Sequence, residues 1–109
     1  MWGVIRMETT FNYKMFGGNA PNPPTGTYVN GDWTGIPELE FGNGTKIILV
    51  WCHDNRLVIR FSFDGLVWGE DIELYDAPQA EPLYMSAQKF QVQNRVNGAV
   101  SIYQVMGQW

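Results

Sequence analysis

The chain has 109 residues, 45% of them hydrophobic and 15% aromatic, with a formal net charge of −4; this suits one folded domain spanning 1–109 and excludes a disordered tail or a second domain beside a deep cleft. Its seven Lys and Arg stand singly, and none falls between Arg60 and Lys89, where Asp64, Glu70, Asp71, Glu73, Asp76 and Glu81 lie; such a segment repels a phosphate backbone, so direct nucleic-acid binding is not expected. Cys52 is the only cysteine, which excludes an intrachain disulfide and a cysteine zinc site.

In chain order, the opening "MWGVIRMETTFNYK" lacks the basic start and long apolar run of a secretory leader. No later stretch approaches the roughly 20 apolar residues of a membrane span. The expectation is a soluble chain made in the cytoplasm, with no membrane partner.

Residues 17–44 hold seven of the twelve glycines and four of the six prolines, yet also Tyr28, Val29, Trp33, Ile36, Leu39 and Phe41. Structureless loops of more than about 12–15 residues are uncommon in compact domains unless they are functional or disordered. Two readings follow. One is a pair of hairpins, "TYVNGDWT" and "LEFGNGTKI", laid over one end of the core. The other is an extended arm over 11–44 whose apolar side chains dock on a neighbouring subunit.

From residue 45 onward the pattern is β. The segments 45–51, 57–63, 70–74, 87–94 and 100–107 are short, rich in Val, Ile, Phe and Tyr, and separated by turn residues. In 57–63, Leu57, Ile59, Phe61 and Phe63 alternate with Val58, Arg60 and Ser62; in 89–93, Phe90 and Val92 alternate with Lys89, Gln91 and Gln93. Each of these strands is expected to bury one side. Asn30-Gly31, Asn43-Gly44, Asp64-Gly65 and Asn97-Gly98 tolerate positive φ and predict tight hairpins. The fold expected is a single antiparallel β-sandwich, or sandwich-like barrel, with core strands in 45–109 and a Gly/Pro/Asn-rich arm or loop region before them.

Catalytic chemistry finds few parts. Cys52 and His53 are adjacent on a strand and point to opposite faces, so they make no thiolate–imidazole pair. His53-Asp54 needs a serine from Ser62, Ser86 or Ser101, none in a nucleophile-elbow sequence; Asp54 and Asn55 read more simply as turn residues. The acids Glu70, Asp71, Glu73 and Asp76 do not follow a calcium-loop spacing, and they read as a solvated strand face that discourages edge pairing. No enzyme activity, cofactor or metal is expected. Asp64 is read as the first residue of a two-residue turn, with Gly65 as the second and Trp68 packing across the hairpin.

The five tryptophans, Trp2, Trp33, Trp51, Trp68 and Trp109, open a different possibility, since exposed aromatic platforms beside Asp and Asn suit sugar recognition. "SFDGLVW" is similar to the Asp-box hairpin of sialidases, but here Asp64 and Gly65 are contiguous where that motif has a residue between them. A carbohydrate-binding domain that recognises a cell-surface glycan is the alternative function.

Over roughly 57–109, "FSFDGLVWGEDIEL" followed by "FQVQNRVNGAVSIYQVMGQW" resembles small structural proteins of tailed bacteriophages. In these, a strand, "DG", an aromatic and an acidic strand precede a final hairpin of similar composition. The resemblance implies a non-enzymatic virion subunit, assembled in the host cytoplasm, that decorates the capsid or belongs to the neck, tail or fibre base. Its partners would be the major capsid or neck/tail proteins and further copies of itself. The interface residues expected are Trp2, Phe11, Tyr13, Phe16, Tyr28, Trp33, Ile36, Phe41 and Trp109, because apolar arms and tryptophans carry such contacts.

Overall fold

The computed structural model describes residues 13–53, 57–74, 81–99 and 101–109. Trp2 and Phe11, the turn residues Asp54 and Asn55, and Asp76 lie outside the described residues. Eight strands form: β1 Tyr13–Asn19, β2 Leu39–Glu40, β3 Ile47–His53, β4 Leu57–Ser62, β5 Ile72–Leu74, β6 Glu81–Leu83, β7 Lys89–Asn94 and β8 Ile102–Gln108. They make two four-stranded antiparallel sheets, in the orders β1-β8-β3-β6 and β2-β7-β4-β5. Among the described residues there is no helix, and the all-β sandwich-like fold expected from the strand pattern is the one found.

Alternation builds the core. Ile48, Val50 and Cys52 of β3 and Tyr103 and Val105 of β8 face Leu57, Ile59 and Phe61 of β4 and Phe90 and Val92 of β7 in one buried cluster. At its centre the Phe90 ring meets Phe16 at 5.0 Å edge-on, Phe41 at 5.1 Å stacked and Phe61 at 6.4 Å. Such pairs stabilise by about 0.5–1.5 kcal/mol each beyond the area they bury. Gly107 has to be glycine for the same packing, because a Cβ there would lie 2.6 Å from the Phe41 ring.

The connections are less local than the turn dipeptides suggested. Asn43-Gly44 lies between β2 and β3, and Asn97-Gly98 between β7 and β8, and in both cases the flanking strands belong to different sheets. The expected final hairpin is therefore a crossover. Its turn closes with Ala99 N–H donating to Val96 O, and Gly98 has φ 82°. Of the consecutive described strands, β4 and β5 pair directly, whereas β2–β3 and β7–β8 cross from one sheet to the other.

The largest correction concerns 17–44. Apart from the end of β1 at 17–19, β2 and a bridge from Thr27 to Val96, it forms neither of the two expected hairpins nor an extended arm; residues 28–38 fold back over the outer face of the second sheet. Trp33 and Ile36 are buried with Val58 in a second apolar cluster, with Tyr28 packed beside it. Gln91 Nε2 donates to Ile36 O at 2.7 Å, and Gln93 Nε2 to Asp32 O at 3.0 Å. As a result β4 and β7 are buried on both faces: Val58, Ser62, Gln91 and Gln93 are each no more than 3% exposed. The expectation that each strand buries one side fails here because an uncharged amide can hydrogen-bond a covering backbone as readily as it can face water.

Trp33→Ala is expected to lower unfolding stability by about 3–5 kcal/mol, whereas Tyr13→Ala should change it by no more than about 0.5 kcal/mol. Urea denaturation of the two variants checks the difference.

Candidate functional site

Two regions bring chemistry-bearing side chains together. The first lies where the covering segment meets the β4–β5 connection. Arg60 projects from the outer face of β4, and its guanidinium carbon sits 4.9 Å from the Trp33 ring centre and 4.5 Å from that of Trp68. Its Nε donates to Gln91 Oε1 at 2.7 Å. A cation between two indole faces is stabilised by the ring quadrupoles, more strongly when water is excluded. Burial pulls the Arg60 pKa down while Asp71 and Glu38 oppose the shift, and the group stays charged.

Asp71 holds the covering segment in place. Its carboxylate accepts hydrogen bonds from the Tyr28 hydroxyl, from Gly31 N–H at 2.9 Å and from Trp33 Nε1–H at 3.0 Å. The acid read from sequence as a solvated or edge-protecting residue is instead a partly buried three-fold acceptor. Burial, reinforced by the hydrogen bond to Asp71, pushes the Tyr28 pKa from 10.0 to about 12. A cleft of about 410 Å³ opens here, lined by Asn30, Gly31, Arg60, Trp68, Gly69, Glu70 and Asp71.

Asp64 is a corner, though of a different kind from the one expected. Ser62 bridges to Trp68, so Phe63–Val67 form a five-residue loop, not a two-residue turn. Asp64 Oδ1 accepts from Leu66 N–H at 2.8 Å and Val67 N–H at 2.9 Å, and Gly65 takes φ 82°. Those backbone donors, Val67 first, hold the Asp64 carboxyl below its ordinary value of 3.8. Trp68 stacks on Arg60 of its own hairpin, and not on the opposite sheet.

The second region is the outer face of the first sheet, which no described segment covers. The register places Tyr13, Gln108 and Ile47 in one row, Met15, Met106, Leu49 and Pro82 in the next, Gly17, Gln104 and Trp51 in a third, and Asn19, Ile102 and His53 in a fourth. None of these is Lys, Arg, Asp or Glu. Tyr13 and Met15 are more than half exposed, and the Trp51 and His53 rings stack in parallel at 5.3 Å. Three neighbouring strands about 4.8 Å apart and about 23 Å long outline on the order of 300 Å², of which the Tyr13, Met15, Ile47, Leu49, Trp51, Ile102 and Met106 positions are apolar and the Gln, Asn and His positions are polar but uncharged.

Of the described residues expected at an interface, only Tyr13 lies exposed on this face. Trp33, Ile36 and Phe41 are no more than 7% exposed and serve the chain's own core. Phe16 packs inward against Phe41 and Phe90. Tyr28 is tied to Asp71, and Trp109 packs against the core with its Nε1–H donating to Asn43 O at 2.9 Å. Met15, Leu49, Trp51, Ile102 and Met106 stand on this candidate face without having been singled out in the sequence. The available signal was the unbroken apolar run in "IILVW", which marks a strand with two apolar faces, not one.

No protein-family model, curated protein or solved structure matches the chain.

Asp71→Ala should cost about 2–4 kcal/mol, since three donors lose a charged acceptor, and should expose 28–38 to proteolysis. Tyr28 keeps its proton to higher pH in the folded state than in the unfolded one. Its stabilising contribution is therefore complete below pH 10 and lost as pH rises towards 12; urea unfolding on either side of that window should show the loss in the wild type and not in Tyr28→Phe. For Asp64→Ala the expected result is a modest fall in melting temperature at neutral pH. That gap should close as pH drops below 3.8, because the depressed carboxyl pKa contributes stability only above that range.

Proposed function

We propose that this chain is a structural subunit that works by assembling with other protein chains through the outer face of its first sheet, in a virion of the tailed-bacteriophage kind, at the capsid surface or at the neck, tail or fibre base. The observation that carries the assembly reading is the lack of Lys, Arg, Asp and Glu among the described residues of that face, in a chain where 17% of residues are charged. Charges left unpaired in a contact are costly, and interface cores are depleted in them. The second sheet has no comparable face to offer, because residues 28–38 already lie on it. The virion setting rests on the resemblance over 57–109.

A second reading has its own observation. The cleft beside Arg60 and Trp68 sets an aromatic ring next to guanidinium donors and carboxylate and amide acceptors, a combination that suits the hydroxyls and C–H face of a neutral sugar. Specific signals on a glycan array, lost in Trp68→Ala and kept when Arg95 is substituted, would move this reading ahead of the first.

The assembly reading is tested by quantitative peptide mass spectrometry of purified particles from the source culture. A ratio close to that of the most abundant shell protein is expected for a decoration protein, and a few per cent of it for a neck, tail or fibre component; absence from particles would overturn the virion setting. Leu49→Glu, which puts a charge at the centre of the face, should lower incorporation at least tenfold while leaving the purified chain folded.

A further inference from the structure

Each sheet has two edges, and the four are not alike. β2 has two residues, and β5 and β6 have three each. β6 also carries Pro82, which has no N–H to donate, and β5 carries the acid Glu73. Short strands, prolines and charges are the ordinary means of keeping an edge from pairing with another chain. β1 has none of this protection on the same scale: it is seven residues long, pairs with β8 along its whole length, and meets no other described strand on its far side.

Its one charged side chain, Lys14, is turned back on its own subunit, with Nζ donating to Glu40 O at 2.9 Å and lying 5.3 Å from the centre of the Phe16 ring. The edge is also continuous with the uncharged face, to which β1 contributes Tyr13 and Met15. A chain with net charge −4 repels its own copies, so a self-association site belongs where acids are absent.

From these observations we infer that β1 pairs antiparallel with β1 of a second copy across a two-fold axis, joining two first sheets into one eight-stranded sheet with a continuous uncharged face. This rests on the assembly reading above and names the partner it begins with. A two-fold axis brings the same edge of each subunit together, and antiparallel pairing is the geometry such an axis imposes on two identical strands. Pairing all seven residues centres the register on Phe16, so Met15 of one copy stands opposite Gly17 of the other, and Tyr13 opposite Asn19. Gly17 leaves room for the approaching backbone and for the Met15 side chain. The seven-residue overlap is about 23 Å long, and Gly18, at φ 128°, is where its ladder of backbone hydrogen bonds departs from regular extended pairing.

The test uses the full chain in a Cys52→Ala background. Met15→Cys chains are mixed with Gly17→Cys chains, and separately Tyr13→Cys chains with Asn19→Cys chains. Both mixtures are oxidised beside a Leu49→Cys control, and sedimentation velocity gives the mass of the unmodified chain. The two pairs are independent, so a folding defect from a side chain at Gly17 would leave the second pair informative. The expected result is a dimer in solution whose mixed cysteine pairs cross-link, while Leu49→Cys does not. Cross-linking through Leu49→Cys without either β1 pair would overturn edge pairing in favour of face-to-face stacking and leave the assembly reading intact. A chain that is monomeric at every concentration yet present in particles would overturn the second copy as partner. A monomer absent from particles would overturn both readings.

Discussion

The three hydrogen bonds gathered by Asp71 hold together a structure that is otherwise two thin sheets. Through the Tyr28 hydroxyl, the Gly31 amide and the Trp33 indole, that carboxylate pins residues 28–38 against β4 and β7. The two glutamines of β7 meet the same segment from below. With this cover in place Val58 is fully buried, and Arg60 is held between Trp33 and Trp68. The second sheet becomes the middle of three layers, and its outer face is no longer available to a partner.

The first sheet is built with the opposite economy. Its inner positions supply Ile48, Val50, Cys52, Tyr103 and Val105 to the shared core, and its outer positions mix apolar with uncharged polar side chains, without cover from any described segment. The two sides of the molecule therefore differ in kind. One is closed by its own chain and bears the Arg60–Asp71 charges; the other is uncharged and ends in the long edge of β1. A partner gains the full hydrophobic contribution only where apolar surface is still exposed to water, and that condition holds on the first sheet.

The same division orders the functional readings. The assembly reading uses the uncharged face, while the glycan reading uses the cleft at the seam between cover and hairpin, and the two surfaces are formed by different sheets. Neither requires movement of the core, whose central phenylalanines are contributed by both sheets and by the segment after β2.

Alternating apolar residues in 57–63 and 89–93, the β-branched runs and the spaced Gly dipeptides were enough to determine the all-β class, the positions of β3, β4, β7 and β8, and the role of Asp64 as a corner, because strand period and turn chemistry are local properties. Which strands pair is not local: Asn97-Gly98 has the composition of a hairpin turn and yet joins strands of opposite sheets. The two faces were likewise undecided in the sequence. Gln91 and Gln93 looked like a solvent face and Trp33 and Ile36 like a sticky arm, since each side chain is compatible with water or a partner until something is laid against it. Only the tertiary structure brought those residues together, burying the amides under the backbone they bond and leaving Met15, Leu49 and Met106 as the apolar surface still open to another chain.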